Sequence, residues 1–260
     1  MRHPQPLRSL GAEPQAQQQQ PPLLQAQGIT MRFGALQVLS ALDFAVGADE
    51  AVGIVGPNGA GKTTLLNVLA GAFAPSEGHV WFRGADVSDQ SAADRCRAGI
   101  ARTHQVPRPF LGMTVFENVL TAATHGAGLP AREAGDQAME CLRLCGMQGL
   151  VNRRAETLGL LGRKRLELVR ALATQPTVLL LDEIGGGLTD AEASELVDMV
   201  RTIRSRQIAI VWIEHLVHVL LQVATRLVCM DGGRIIASGD PRAVLADPTV
   251  VEAYLGGVAA

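Results

Sequence analysis

Three short stretches carry side chains whose types and spacing could do chemistry. The first runs Gly56-Pro57-Asn58-Gly59-Ala60-Gly61-Lys62-Thr63-Thr64. Its glycines let a backbone curl until several N–H groups converge on one point, and a helix beginning at its end would add a positive pole. Lys62 and the Thr63 hydroxyl complete a cradle for a polyphosphate and a divalent cation. A plain glycine-rich turn would need no lysine, yet one of the chain's two lysines stands here among 23 basic residues. The second stretch, Val178 to Glu183, is an apolar run ending in two carboxylates. Asp182 can hold a magnesium ion that bridges phosphate oxygens, and Glu183 can orient or deprotonate an attacking water. Such a pair at a strand end is common by itself, and its weight comes from following a complete phosphate loop. The third, Ile210 to His215, ends on a histidine, with His218 close behind. Two histidines without a third ligand make a poor metal site.

The bulk properties narrow the setting. A chain of 260 residues with 47% hydrophobic residues has ample core for one large domain or two small ones. A formal net charge of −2 gives no global attraction for nucleic acid, and none is expected as a partner. The four cysteines, Cys96, Cys141, Cys145 and Cys229, fit neither a zinc ribbon nor a disulfide framework. Cys141 and Cys145 would share a helix face, where small buried fillers are favoured over a metal pair. Reduced thiols point to a cytoplasmic setting. Residues 1–27 are rich in Gln and Pro, lack the apolar core of a signal peptide, and read as a disordered tail. The most apolar window, around residues 208–221, is cut by Glu214, His215 and His218, so no spanning segment is expected.

The elements that must position these residues can be traced along the chain. From Gly28, apolar Ile29, Met31 and Phe33 alternate with Thr30 and Arg32, the pattern of a half-buried strand. The uninterrupted apolar run 51–55 before the glycine loop suits a strand covered on both faces. Residues 62–71 then have helical spacing. Between about 92 and 166 the pattern is mostly helical, with a capping box at Thr114 to Glu117. Strands and helices alternate again from Thr177, a second capping box sits at Thr189 to Glu192, and Asp231-Gly232-Gly233 predicts a hairpin. This order predicts an α/β fold on a mainly parallel sheet.

Taken in order, the phosphate loop, a glutamine after a strand in Arg102-Thr103-His104-Gln105, a helical insert, Asp182-Glu183 and His215 resemble the ATP-binding-cassette ATPases. The resemblance covers about residues 28 to 257. It implies a P-loop NTPase core, an N-terminal antiparallel β portion and the helical subdomain inserted at about 92–166, all within one ATPase domain of residues 28–260. It further implies ATP and Mg2+ as ligands, with Phe33 stacking on adenine and residues 56–64 around the phosphates. Thr63, Gln105 and Asp182 would attend the metal, while Glu183 and His215 act on the γ-phosphate. Residues 101–120, 163–172, 182–190 and 211–215, and the ending Ala246 to Gly257, are similar to the larger ATPase subunits of branched-chain amino acid importers. Such subunits pair head to tail with a second ATPase subunit or another copy of themselves. They sit on the inner face of the cell membrane against integral permeases, and through these serve a solute-binding protein. Phe110 and Met113 would then belong either to the docking surface or to the core.

Two departures from the family pattern stand out. Where relatives carry a signature loop that reaches across the dimer, this chain has Leu158-Gly159-Leu160-Leu161-Gly162. The serine hydroxyl is lost and a glycine becomes leucine, which should weaken contact with an anion. Ile184 replaces a common proline, and Gly185, Gly186 and Gly187 follow it, a run expected to be flexible. These changes suggest an asymmetric heterodimer in which the ATP completed by this chain's signature is hydrolysed poorly. They also leave open another class of function, a nucleotide-dependent regulatory or clamp-type module with incidental hydrolysis. A GTPase is more distant: Asp182-x-x-Gly185 mimics one of its motifs, but Lys164 lies in Arg163-Lys164-Arg165 rather than in Asn-Lys-x-Asp.

Overall fold

The computed structural model of the chain describes residues 21–256. Its first layer is a four-stranded antiparallel sheet of β1 (Leu24–Phe33), β2 (Leu36–Val46), β4 (Glu77–Phe82) and β5 (Ala85–Asp86), ordered β2-β1-β4-β5. The second is a six-stranded sheet of β3 (Ala51–Val55), β6 (Ile100–Arg102), β7 (Val178–Asp182), β8 (Ala209–Ile213), β9 (Arg226–Asp231) and β10 (Arg234–Gly239). Its order is β10-β9-β3-β8-β7-β6, parallel throughout except for the β9–β10 hairpin. Gly232 and Gly233 turn that hairpin at φ 51° and 75°, the conformation a two-residue turn requires.

Continuous apolarity in β3, β7 and β8 has a direct cause. Val52, Ile54, Val178, Leu180, Ala209 and Val211 face a core shared with the antiparallel sheet and helix α1 (Lys62–Leu69). Ala51, Val55, Leu179, Leu181, Ile210 and Trp212 face a second core on the opposite side. Both faces are dry, so no position alternates to polar.

That second core is roofed by helices. α3 (Val115–His125), α4 (Ala131–Leu144) and α5 (Leu160–Ala173) pack on one another, and α6 (Asp190–Arg204) follows β7. Both expected capping boxes form, Thr114 with Glu117 and Thr189 with Glu192, each satisfying two otherwise orphan donors. Cys141 and Cys145 are 2% and 3% exposed within this core, and burial pushes both thiols up to about 12. The chain closes with α7 (Val217–Leu220), α8 (Pro241–Ala246) and α9 (Pro248–Gly256).

Three sequence expectations need correction. The first concerns the first strand, which starts before Gly28: β1 begins at Leu24, and Leu24 and Ala26 are fully buried. Their partners across the sheet, Val46 and Phe44, supply the apolar contact that a Gln-rich composition hid. The rest of the expected tail, residues 1–20, lies outside the described residues. The second concerns the helical insert, which is narrower at its start and longer at its end. α2 (Ala92–Ala98) is tied to α1 by the buried Arg95, whose guanidinium donates to the Val68 and Leu69 carbonyls, and β6 joins the parallel sheet. The three-helix packing therefore starts at Val115 and runs to Ala173. The third is that Phe33 does not continue the buried face of Ile29 and Met31. Register shifts along β1 change which residues face the core, and Phe33 is left 45% exposed, edge-on to Phe73 at 5.4 Å. Among the described residues no helix is long and apolar enough to cross a membrane.

The early start of β1 makes a prediction. Leu24→Ala should cost about 2–5 kcal/mol in urea unfolding, as for other fully buried leucines. Leu36→Ala, 65% exposed on β2, should stay within about 0.5 kcal/mol of wild type.

Candidate functional site

The chemistry-bearing residues meet because each follows the carboxyl end of a neighbouring parallel strand. β3 delivers the glycine loop, β7 delivers Asp182 and Glu183, β8 delivers Glu214 and His215, and β6 leads to Gln105. Since β3, β8, β7 and β6 are adjacent in that order, these strand ends form one rim, the usual place for a ligand in an open α/β sheet.

The loop after β3 encloses a cavity of about 200 Å3, lined by Val38, Asn58 to Thr64 and Glu183. α1 starts at Lys62 with no side-chain cap, so its first N–H groups are free to face an anion there. Gly61 precedes it in the left-handed region at φ 94°, and a Cβ would lie 2.8 Å from Leu39. The back of the loop rests on the β9–β10 turn, where the Gly233 amide donates to the Ala60 carbonyl at 3.2 Å. Lys62 is 6% exposed and folds onto the loop, its Nζ donating to the Gly56 and Pro57 carbonyls at 2.8 and 2.9 Å. Burial lowers its pKa, against the pull of Glu183 and then the other nearby acids.

Asp182 lies 1% exposed beside the loop. Burial raises its pKa, with Arg102 opposing the rise. Arg102 binds it at 3.0 Å and also bonds to the Asn67 side chain on α1. The Thr63 hydroxyl is 3.3 Å from Asp182 Oδ1. A hydroxyl and a poorly solvated carboxylate are hard oxygen donors, which suits Mg2+ completed by phosphate and water. Gln105 points elsewhere: its amide nitrogen donates to Glu183 Oε2.

Glu183 is where the elements converge. Its other oxygen, Oε1, is 2.8 Å from His215 Nε2. Its backbone takes φ 47°, unusual for a residue with a side chain, and its amide donates to the Ile213 carbonyl at 2.9 Å. Its carbonyl accepts from Lys164 Nζ at 3.4 Å. Thus a carboxylate is held between a histidine and an amide at the edge of a phosphate-sized cavity, an arrangement able to position and polarise a water.

Several members of this network carry no recognisable signal in the sequence. Glu214, 2% exposed, accepts the Gly185 amide at 2.8 Å and the His215 amide at 3.0 Å. A Cβ on Gly185 would stand 2.8 Å from Glu214 Oε2, so this glycine makes room for the buried acid rather than adding flexibility. Ile184 is 2% exposed and fills the helical core. The sequence assigns no role in the site to Lys164, 4% exposed, or to Arg102. Phe33 and Gln105 do not line the cavity, although both were expected near the nucleotide. The Gly159-Leu160-Leu161-Gly162 stretch forms the start of α5: Gly159 is its N-cap with no side-chain bond, and Leu160 is 46% exposed.

These features agree with comparisons to known proteins. A family model described as ABC transporter matches residues 39–185, and one described as branched-chain amino acid ATP-binding cassette transporter matches residues 234–260. The chain is 34% identical over 250 residues to the high-affinity branched-chain amino acid transport ATP-binding protein BraF of Pseudomonas aeruginosa, covering 90% of this chain and 98% of that one. It is 33% identical, with the same coverage, to LivG of Escherichia coli, which carries the same description. Among solved structures, a nucleotide-free ATP-binding cassette from an ABC transporter superposes with a TM-score of 0.82 at 30% identity, covering 90% of this chain and 98% of that one. The ADP conformation of such a cassette gives the same TM-score and identity. The chain therefore belongs to the ABC transporter family as an ATP-binding cassette ATPase, with a C-terminal element like that of the branched-chain amino acid cassettes.

Proposed function

We propose that the chain hydrolyses ATP to energise a membrane importer for branched-chain amino acids or related small organic solutes. The observation that carries this reading is the meeting of Lys62, Asp182, Glu183 and His215 at one rim, in a chain whose relatives are transport ATP-binding proteins. A regulatory or clamp-type module finds no support among these relatives.

In this mechanism the loop amides and the N-terminus of α1 receive the phosphates, and Lys62 exchanges its two carbonyl partners for terminal phosphate oxygens. Thr63, Asp182 and Gln105 would hold Mg2+, which when bound offsets phosphate charge. For Gln105 this requires release of its bond to Glu183. Glu183 then orients the attacking water and accepts its proton as the water oxygen bonds to the γ-phosphorus and the bond to the ADP leaving oxygen breaks, while His215 turns from the Glu183 carboxylate to the γ-phosphate. Phe33, exposed beside Phe73, is offered to the adenine ring.

The ATPase domain takes residues 24–260, with the helical subdomain at 115–173 inserted in the nucleotide-binding core. It works as a head-to-tail dimer with a second ATPase subunit or another copy of itself, peripheral on the inner face of the membrane. Val106, Phe110, Leu111 and Met113 are 40–70% exposed on the segment after Gln105, which suits contact with a permease. Movement of Gln105 with the nucleotide state would carry the signal there.

Lys62→Ala and Glu183→Gln should each lower magnesium-dependent ATP hydrolysis by the partnered protein about 100-fold or more. The Glu183→Gln protein should still bind ATP, and chelation of magnesium should abolish turnover. Hydrolysis that survives both substitutions would refute the assignment.

The bare N-cap at Gly159 carries a second expectation. With a distinct partner ATPase, single-turnover hydrolysis should fall much more when Glu183→Gln is made in this chain than when the equivalent glutamate is changed in the partner. Equal losses would remove the asymmetry.

A further inference from the structure

The last helix reaches back to the phosphate loop. α9 is anchored in the core by Val250, 2% exposed, and the Tyr254 hydroxyl accepts a hydrogen bond from the Gly56 amide at 2.8 Å. Gly56 is the first residue after β3 and is buried. Its backbone sits so close to β9 that a Cβ would lie 2.1 Å from the Met230 carbonyl oxygen. Elsewhere α9 stands off from the loop across a hollow of about 530 Å3, lined in part by Pro57, Asn58, Thr249 and Glu252.

Gly56 is thus held at both ends, its amide by Tyr254 and its carbonyl by Lys62 Nζ. The two holds have different fates. Lys62 is needed by the phosphates and must leave the carbonyl when they arrive. Tyr254 does not line the phosphate cavity, so its bond competes with nothing that enters. Without the hydroxyl, a buried N–H would lose its partner at the moment the loop also loses Lys62.

We propose that Tyr254 is a positioning residue for the phosphate loop, keeping it in its nucleotide-receiving shape once Lys62 turns to the phosphates and coupling the C-terminal helix to nucleotide occupancy. The inference rests on residues 56–64 being the ATP site. It assigns the C-terminal element a task in the catalytic cycle.

Tyr254 is the one tyrosine in the chain, so protein labelled with 3-fluorotyrosine gives a single fluorine resonance. That resonance should shift when MgADP is added to saturation, with binding followed in parallel by calorimetry. In the partnered protein, Tyr254→Phe should raise the KM for ATP about tenfold while kcat stays within about twofold, the effect of losing one hydrogen bond to a binding loop. The labelled protein keeps its native side chains otherwise, so the first readout does not depend on the folding of a variant. An unmoved resonance at saturating ADP, or a Tyr254→Phe protein with an unchanged KM, overturns the inference and leaves the ATP site intact. Absence of any ADP binding overturns the ATP site and the inference together.

Discussion

The constraint on which this protein depends is the inward turn of one backbone loop between a buried strand and a helix. In the proposed mechanism phosphate is bound mainly by amides and a helix end, so the loop must be held in shape from outside. β3 fixes its start, α1 its end, and the β9–β10 turn supports its back through Gly233. Lys62 closes it from within by bonding its own carbonyls, a buried cation satisfied without a carboxylate partner. In the proposed mechanism Lys62 exchanges those carbonyls for phosphate oxygens.

Around this loop the sheet acts as a frame that brings distant parts of the sequence to one edge. Adjacent strands deliver the carboxylates, the histidine and the glutamine, and buried charges tie them across elements. Arg102 spans Asp182 and Asn67, Glu214 spans Gly185 and His215, and Lys164 reaches the Glu183 carbonyl from α5. Such contacts cost desolvation but leave few arrangements of the rim open. Through Lys164 the helix that begins after Gly159 touches the same residue as His215.

Much of this was legible in the sequence because the governing physics is local. The loop is named by its glycines and lysine, the inner strands by unbroken apolarity, and two helix starts by reciprocal Thr and Glu. Other features depend on three-dimensional neighbours that no window displays. β1 begins at Leu24 because Phe44 and Val46 lie opposite, and register shifts, not composition, expose Phe33. Gly185 reads as slack in the sequence, whereas Glu214 occupies the space its side chain would fill. Tyr254 is nearly 200 residues from the amide it holds, far beyond any local pattern.

The most direct test is a crystal structure of the Glu183→Gln protein with ATP and magnesium. Lys62 Nζ should have left the Gly56 and Pro57 carbonyls for the terminal phosphates, inside the cavity bounded by Asn58 to Thr64. Nucleotide bound elsewhere, with Lys62 still on those carbonyls, would contradict the account.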